Sequence, residues 1–202
     1  MKKEGLAARR KKRFKVRVIK EDRVEAVASR LFKIEDDKKF SKNELWVGDI
    51  TYIPFDNNFL YLSVVLDVGR RKVVGWSLDK TLSSRGVIRA LKQALDSEGD
   101  SGKIFHSDQG VQYKSKAFRE VLKEMGIKAS MSRRGNCYDN AYIETFFKTL
   151  KSELLWNENF ESEEDLNFKI FKYIELFYNK KRLHSALNYK SPLEYELDKL
   201  AA

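Results

Sequence analysis

The segment "LWVGDITYIPFDNNFLYLSVVLDVGRRKVVGWSL", residues 45–78, contains three apolar stretches rich in β-branched side chains. The sequences "FDNNF" and "GRRK" separate these stretches, and their Asp, Asn and Gly residues are typical of turns. Because the connections are short, we expect the three stretches to form an antiparallel meander of β-strands. The middle stretch, 59–68, is apolar almost throughout, which indicates a sheet covered on both faces.

After residue 80 the pattern changes to helices that alternate with strands. Apolar side chains recur with helical spacing from Ser84 and again between Ser115 and Met125, while "KIFHSD" (103–108) and 127–132 favour strands four and five. Two further helices are predicted around 139–155 and 163–180. The expected fold class is therefore α/β, with three layers. In its five-stranded mixed sheet, strands 1–3 are antiparallel, strands 4 and 5 follow, and helices flank both faces.

The positive charge is concentrated at the start of the chain. The net charge is +10, and residues 1–20 hold ten Lys and Arg against a single acid, Glu4, which leaves the rest almost neutral. A basic arm of this kind suits a polyanion such as DNA, although a solvated terminus is the alternative. The arm and a charged linker form a first unit, 1–44, and the body of the chain a second, 45–198.

Composition indicates a cytoplasmic protein that makes no membrane contact. No apolar stretch approaches the length of a membrane span, and the first residues lack the apolar core of a signal peptide. The lone cysteine, Cys137, excludes an intrachain disulfide and fits a reducing compartment.

Three acids occupy positions where a carboxylate needs a partner. Asp49 lies inside the first strand, Asp108 follows the fourth strand, and Glu144 lies on the helix around 139–155. A carboxylate in a covered sheet is costly unless it is paired or bound to metal, and ligands of open α/β sheets collect beyond the carboxyl ends of strands. Hard divalent ions prefer oxygen ligands, and a pair of them can clamp an in-line phosphoryl transfer. The acids together predict such a metal site.

Glu144 also belongs to a polar stripe on its helix. Lys148 and Lys151 follow it at i+4 and i+7, so the three side chains share one face. One interpretation is an ordinary Glu–Lys surface pair. The other is that both lysines contact phosphate beside the acid.

Five motifs in order resemble one protein family. They are "WVGDITYI" (46–53), "VVLDVGRRKVVGWSL" (64–78), "IFHSDQGVQY" (104–113), "SMSRRGNCYDNAYIETFFKTLKSEL" (130–154) and "YNKKRLHSALNYKSPLEY" (178–195). The chain resembles the integrase-core transposases of bacterial insertion sequences, specifically those made from two overlapping reading frames.

The resemblance implies a fold, a site and an activity. It implies an RNase H-like fold and a catalytic, metal-binding triad of Asp49, Asp108 and Glu144, with 35 residues between the last two. It implies two Mg²⁺ ions, for which Mn²⁺ can substitute, and DNA cleavage followed by strand transfer without a covalent protein–DNA intermediate. Residues 45–198 would be the catalytic core with its C-terminal helix, and 1–44 a remnant of an upstream DNA-binding region.

The expected partners are DNA and further protein chains. DNA would include the ends of the element and the target, the protein would act as a homo-oligomer on DNA, and the product of the upstream reading frame is a further possible partner. The residues expected to contact DNA are Arg9, Arg10, Lys11, Lys12, Arg13, Arg133, Arg134, Lys148 and Lys151.

Several alternatives stay open at this point. The chain could be a truncated, catalytically silent transposase fragment that acts as a DNA-binding or inhibitory protein, or a cellular nuclease of the same fold. His106 could position a phosphate near the acids or could be a locally bonded strand residue. The Arg and His of "NKKRLHS" (179–185), with Tyr189, suggest a tyrosine recombinase, but that chemistry needs a wider Arg and His constellation than this chain offers.

Overall fold

A computed structural model describes residues 40–99, 104–132 and 140–201. The elements in chain order are β1 (Leu45–Phe55), β2 (Asn58–Asp67), β3 (Lys72–Asp79), α1 (Ser84–Glu98), β4 (Ile104–Ser107), α2 (Val111–Lys114), α3 (Lys116–Glu124), β5 (Lys128–Met131), α4 (Ala141–Leu150), α5 (Glu163–Phe171) and α6 (Pro192–Ala201). Within these ranges, no helix has the length and apolar character that crossing a membrane requires.

The five strands form one mixed sheet in the order β3-β2-β1-β4-β5. The hairpins β1–β2 and β2–β3 are antiparallel, while β4 pairs parallel to both β1 and β5. Asp56 and Asn57 connect β1 to β2 with φ angles of 44° and 57°, the left-handed pair that a two-residue hairpin turn requires. The predicted meander and mixed sheet are thus confirmed.

Helices cover both faces of the sheet, which confirms the three layers. On one face α4 and α5 bury Ile143, Leu150 and Leu166 against β1–β3. On the other face α1 and α3 bury Leu91 and Phe118. The strands at the centre of the sheet are apolar on both sides because both sides face a core.

Two predicted helices differ from the structure in their second halves. The helix expected around 139–155 is α-helical only to Leu150, and a π-helical segment, Lys151–Leu155, continues it. In the same way α5 passes into a π-helical segment, Lys172–Tyr178. A π turn holds an extra residue, so it shifts the faces of the helix beyond it. The short helix α2 was not predicted.

A buried cluster of charges attaches the C-terminal helix to the sheet. Arg70, which is 2% exposed, lies in the turn after β2 and contacts three carboxylates. Its guanidinium is 3.1 Å from Asp67, 2.8 Å from Glu98 at the end of α1 and 2.7 Å from Glu196 on α6. Lys42, Arg70 and Lys72 outweigh the burial of the Glu196 carboxyl and lower its pKa to about 2. The cluster therefore fixes α6 against the sheet.

Candidate active site

The first feature of the site is the point where β4 ends beside β1. The parallel pairing of these strands stops at Gly48 and Ser107, so the next residues are Asp49 and Asp108. Neighbouring strands lie about 4.8 Å apart. Among the described residues, the β1–β4 pairing ends just before Asp49, and the register sets the two acids next to each other.

Asp49 is partly buried and experiences the charges of both other predicted acids. Burial, then Asp108 and more weakly Glu144, raise the pKa of Asp49 to about 7. The backbone N–H of Ile50, which donates to Asp49 Oδ1 at 2.8 Å, and the charge of Lys151 oppose this rise. The raised pKa therefore combines the loss of solvation on burial with the nearby negative charges of Asp108 and Glu144.

Asp108 is exposed and sits in a local turn. The backbone N–H of Gly110 donates to Asp108 Oδ1 at 2.9 Å, which fixes the carboxylate just before α2. The buried Tyr113 on α2 lies close enough that, after burial, Asp49 and Asp108 raise its pKa further. The short helix therefore packs beneath the two acids.

Glu144 reaches the site from the first turn of α4. Ile143 and Phe147 bury the neighbouring face of the helix in the core. At the helix start, Asn140 Nδ2 lies 3.5 Å from the carbonyl oxygen of Gly48, the residue before Asp49. This long hydrogen bond is a direct link between the two elements that carry Glu144 and Asp49.

A cleft of about 640 Å³ opens between β1 and α4. Asp49, Glu144, Lys148 and Lys151 all line it, together with aromatic side chains that include Trp156. Asp108 lies beside the cleft and is not part of its wall. Burial lowers the pKa of Lys151 while Asp49 opposes the shift, so this lysine faces the acids.

Glu144 and Lys148 do not form the ordinary surface pair in the described structure. Both are described, and none of the ion pairs among the described residues joins them. The two side chains share the cleft without a salt bridge between them. Lys148 is exposed, so its ammonium is available to an anion in the cleft.

The three acids suit a divalent metal chemically, although their side chains do not yet surround a single metal position. Among residues 40–99, 104–132 and 140–201, no three His, Cys, Asp or Glu side chains stand close enough to hold an ion as they are. The three acids nevertheless offer only carboxylate oxygens, which Mg²⁺ and Mn²⁺ prefer. Burial and, after it, the charges of Asp108 and Glu144 raise the pKa of Asp49, and a cation between the acids would relieve the part that comes from charge repulsion.

Other predicted residues lie elsewhere. His106 is fully buried. Its Nδ1 lies 2.9 Å from the Ser130 hydroxyl and its Nε2 lies 2.9 Å from the Ser132 hydroxyl, so both ring nitrogens have hydroxyl partners on the neighbouring segment. The basic residues of the arm and the loop before α4 fall outside the described residues: Arg9, Arg10, Lys11, Lys12, Arg13, Arg133 and Arg134. Sequence reasoning missed Asn140 and Tyr113, whose relation to the acids appears only once the chain is folded.

Comparison with known families agrees with this fold. A model of the integrase core domain matches residues 41–137, and a second model with the same description matches residues 125–192. The chain belongs to the integrase core family.

Its curated relatives are bacterial insertion-sequence transposases. The chain is 46% identical over 160 residues to the transposase for insertion sequence element IS904 of Lactococcus lactis subsp. lactis (strain IL1403), covering 79% of this chain and 63% of that protein. It is 41% identical over 160 residues to transposase InsF for insertion sequence IS3A of Escherichia coli (strain K12), covering 79% of this chain and 56% of that protein. The chain thus spans less than two thirds of either relative.

A solved structure supports the RNase H-like fold. The HTLV-2 integrase catalytic core domain in complex with magnesium, in its trimeric form, superposes with a TM-score of 0.60 at 20% identity. The match covers 78% of this chain and 99% of that one. At this identity the likeness concerns the fold.

Proposed function

We propose that this protein is a DNA transposase of the Asp-Asp-Glu type, a polynucleotidyl transferase that cleaves DNA at insertion-sequence ends and joins it to a target. The observation that carries the proposal is the convergence of Asp108 and Glu144 charges on Asp49, beside a cleft that two lysines also line. The relatives' transposase identity supports the choice of DNA as the substrate.

Asp49, Asp108 and Glu144 would hold two divalent ions, Mg²⁺ or Mn²⁺ as its substitute. When bound, the ions supply Lewis acidity and a readily deprotonated water for phosphoryl transfer. Asp49 is held by the strand and by the Ile50 N–H, whereas Glu144 has a long side chain that can swing towards the other acids. The three acids come from a strand, a strand end and a helix, so the fold holds their backbones in place.

Lys148 and Lys151 would bind the phosphates of the DNA strand in the cleft. Both line the cleft on the same side as Glu144, and the backbone of a DNA strand carries one charge per phosphate. The site then needs no Ser, Cys or Tyr nucleophile, because water or a DNA 3′-hydroxyl attacks.

Domain organisation and partners extend the proposal. Residues 45–198 would form the catalytic core, and 1–44 a remnant of an upstream DNA-binding region. The arm, with Arg133 and Arg134, would add DNA contacts. The protein would act in the cytoplasm as a homo-oligomer on DNA, with the upstream reading-frame product as a further partner. The exposed side chains of Phe168, Phe171 and Phe177 offer apolar area for an oligomer contact.

The decisive experiment incubates the protein with a pre-cut element end, a plasmid and Mn²⁺, and scores joined molecules. Asp49→Asn, Asp108→Asn and Glu144→Gln are each expected to abolish joining while far-ultraviolet circular dichroism stays unchanged. Asp96→Asn and Glu120→Gln, exposed acids elsewhere, are matched controls that should join normally. Joining that persists in any triad variant would refute the assignment.

A second candidate is a catalytically silent fragment that binds DNA and inhibits a full-length transposase. The observation that favours it is the concentration of positive charge in residues 1–20, which hold ten Lys and Arg against one acid and suit DNA binding without catalysis. This candidate predicts DNA binding that depends on the arm, steep salt dependence and no joined product with either metal. Joined molecules from this chain would eliminate it.

A further inference from the structure

A second pocket lies on the other side of α4 from the acids. Its volume is about 590 Å³, and its lining includes Arg71, Tyr142, Arg182, His184 and Tyr189. Tyr142, Thr145 and Thr149 of α4 face this pocket, whereas Glu144 and Lys148 face the acid cleft. The two sites are separated by one helix, whose diameter with side chains is about 10–12 Å.

Arg71 provides an uncommitted cation. Its guanidinium stacks on the ring of Tyr142 at 4.1 Å from the centroid. In the part of the chain that the structure describes, no carboxylate pairs with Arg71 and no hydrogen bond uses its N–H groups. Its backbone is left-handed, with φ 55°, in the turn after β2. The stacked guanidinium therefore keeps its donors for a ligand.

Arg182 plays a different part in the same pocket. Its Nε and Nη2 both lie 3.0 Å from Glu153 Oε1, a fork that also involves Glu153 Oε2. Glu153 in turn accepts a hydrogen bond from the hydroxyl of Tyr173 at 2.7 Å. Because Arg182 is paired with Glu153, it stabilises the pocket wall, and Arg71 is the arginine of this pocket that can bind a ligand.

Tyr189 is an exposed aromatic ring on a constrained loop. It is 74% exposed, and both Asn188 and Tyr189 have left-handed backbone, with φ of 56° and 58°. The backbone N–H of Tyr189 donates to the His184 carbonyl at 2.9 Å, and that of His184 donates to Lys190 at 3.1 Å. Asn188 tolerates this conformation, whereas Tyr189 is strained in it, and these backbone hydrogen bonds hold the exposed ring in place.

His184 contributes a polar ring nitrogen, Nε2, to the pocket. Its ring packs edge-on against Tyr178, with centroids 5.0 Å apart, and its Nε2 is buried without a hydrogen-bond partner among the described residues. Burial, then the charges of Arg182 and Arg71, lower the pKa of His184 to about 4, so the ring is neutral at neutral pH. Buried polar atoms are normally hydrogen-bonded, so this nitrogen can form a hydrogen bond with a polar group that enters the pocket.

We propose that this pocket binds an unpaired nucleotide of the DNA substrate, with its phosphate on Arg71 and its base stacked on Tyr189. Guanidinium groups recognise phosphate oxygens through paired donors, and exposed aromatic rings stack bases without regard to sequence. Bases within a duplex are paired and stacked on both faces, so the ligand is a single-stranded extension. The inference rests on the proposed function for the choice of DNA and assigns part of that substrate a place across α4.

The test measures binding of two labelled DNAs by fluorescence anisotropy in EDTA. One is a blunt duplex, and the other carries a short single-stranded extension on the same duplex. Tyr189→Ala is expected to weaken binding of the extended DNA by at least about fivefold, the low end of base stacking on an aromatic ring, and to leave the blunt duplex unchanged. Tyr189→Phe should bind like the wild type because it keeps the ring.

Arg71→Met tests the proposed phosphate contact independently of the base contact. It should weaken binding of the extended DNA. It should also reduce the slope of the logarithm of the binding constant against the logarithm of the salt concentration by about 0.7, as expected when one single-strand phosphate contact is lost. Arg85→Met removes an exposed arginine on α1 and should not change binding of the extended DNA. Thermal melts of all variants check folding.

The outcomes separate this inference from the proposed function. Equal binding of the extended DNA by the wild type, Tyr189→Ala and Arg71→Met would overturn the inference even if the protein joins DNA. Equal weakening of blunt and extended DNA would overturn it as well, because it would show a general backbone contact. If Tyr189→Ala and Arg71→Met weaken binding of the extended DNA only, and the wild type gives no joined product, the nucleotide pocket is supported and only the transferase activity is contradicted.

Discussion

Asp49→Asn should stabilise the metal-free protein at neutral and alkaline pH while it removes activity. In the folded protein the pKa of Asp49 is raised from 3.8 to about 7. Between these two pH values the folded protein keeps a proton on Asp49 that the unfolded chain has released. Stability from this group therefore falls as pH rises from about 4 to about 7, and the full penalty remains above pH 7. Asparagine can still accept the Ile50 N–H and carries no charge.

The size of the effect follows from the shift. Each pKa unit corresponds to about 1.4 kcal/mol, so a rise of about three units sets an upper bound of about 4 kcal/mol. Asp49 is only partly buried, and solvent screening reduces the bound, so we expect a gain of about 2 kcal/mol above pH 7. The difference between the two proteins should vanish near pH 4.

Urea unfolding in EDTA across this pH range measures the effect, with Asp96→Asn as the control for an exposed acid. Adding Mg²⁺ should raise the free energy of unfolding of the wild type and leave Asp49→Asn nearly unchanged, because ligand that binds only the folded state stabilises it. A variant that is as stable as the wild type, or less stable, at pH 8 would refute the electrostatic account of Asp49.

Two further substitutions test the frame around the site. Arg70→Met should lower the free energy of unfolding, measured by urea titration, by about 3–5 kcal/mol, because it leaves three carboxylates around a buried position without their cation. The control Arg85→Met, at an exposed position, should change it by less than about 0.5 kcal/mol. Gly48→Ala should cost about 1–3 kcal/mol, because a Cβ at Gly48 would overlap the ring of buried Phe105, and the double variant with Phe105→Leu should recover part of that loss.

The sequence predicted those parts of the molecule that depend on local pattern. The β1–β2 hairpin was predicted because β-branched runs flank turn residues, and its left-handed Asp56 and Asn57 suit that turn. The site acids stood out because a carboxylate such as Asp49 is expensive inside a covered strand.

The rest depends on contacts between distant segments. Glu196 lies 126 residues from Arg70, and no sequence period signals that these two side chains meet. Asn140 approaches the carbonyl of Gly48 only because α4 packs across β1. The change from α to π geometry at Lys151 leaves a continuous apolar stripe in the sequence, so the pattern alone predicts one uninterrupted helix.

The central claim is that Asp49, Asp108 and Glu144 hold divalent ions together. The most direct measurement is anomalous X-ray scattering from crystals of the protein grown with Mn²⁺. We expect anomalous peaks bounded by the carboxylates of Asp49 and Asp108, with Glu144 turned in to complete them. Mn²⁺ that binds elsewhere, with these three side chains unligated at saturating metal, would contradict the account.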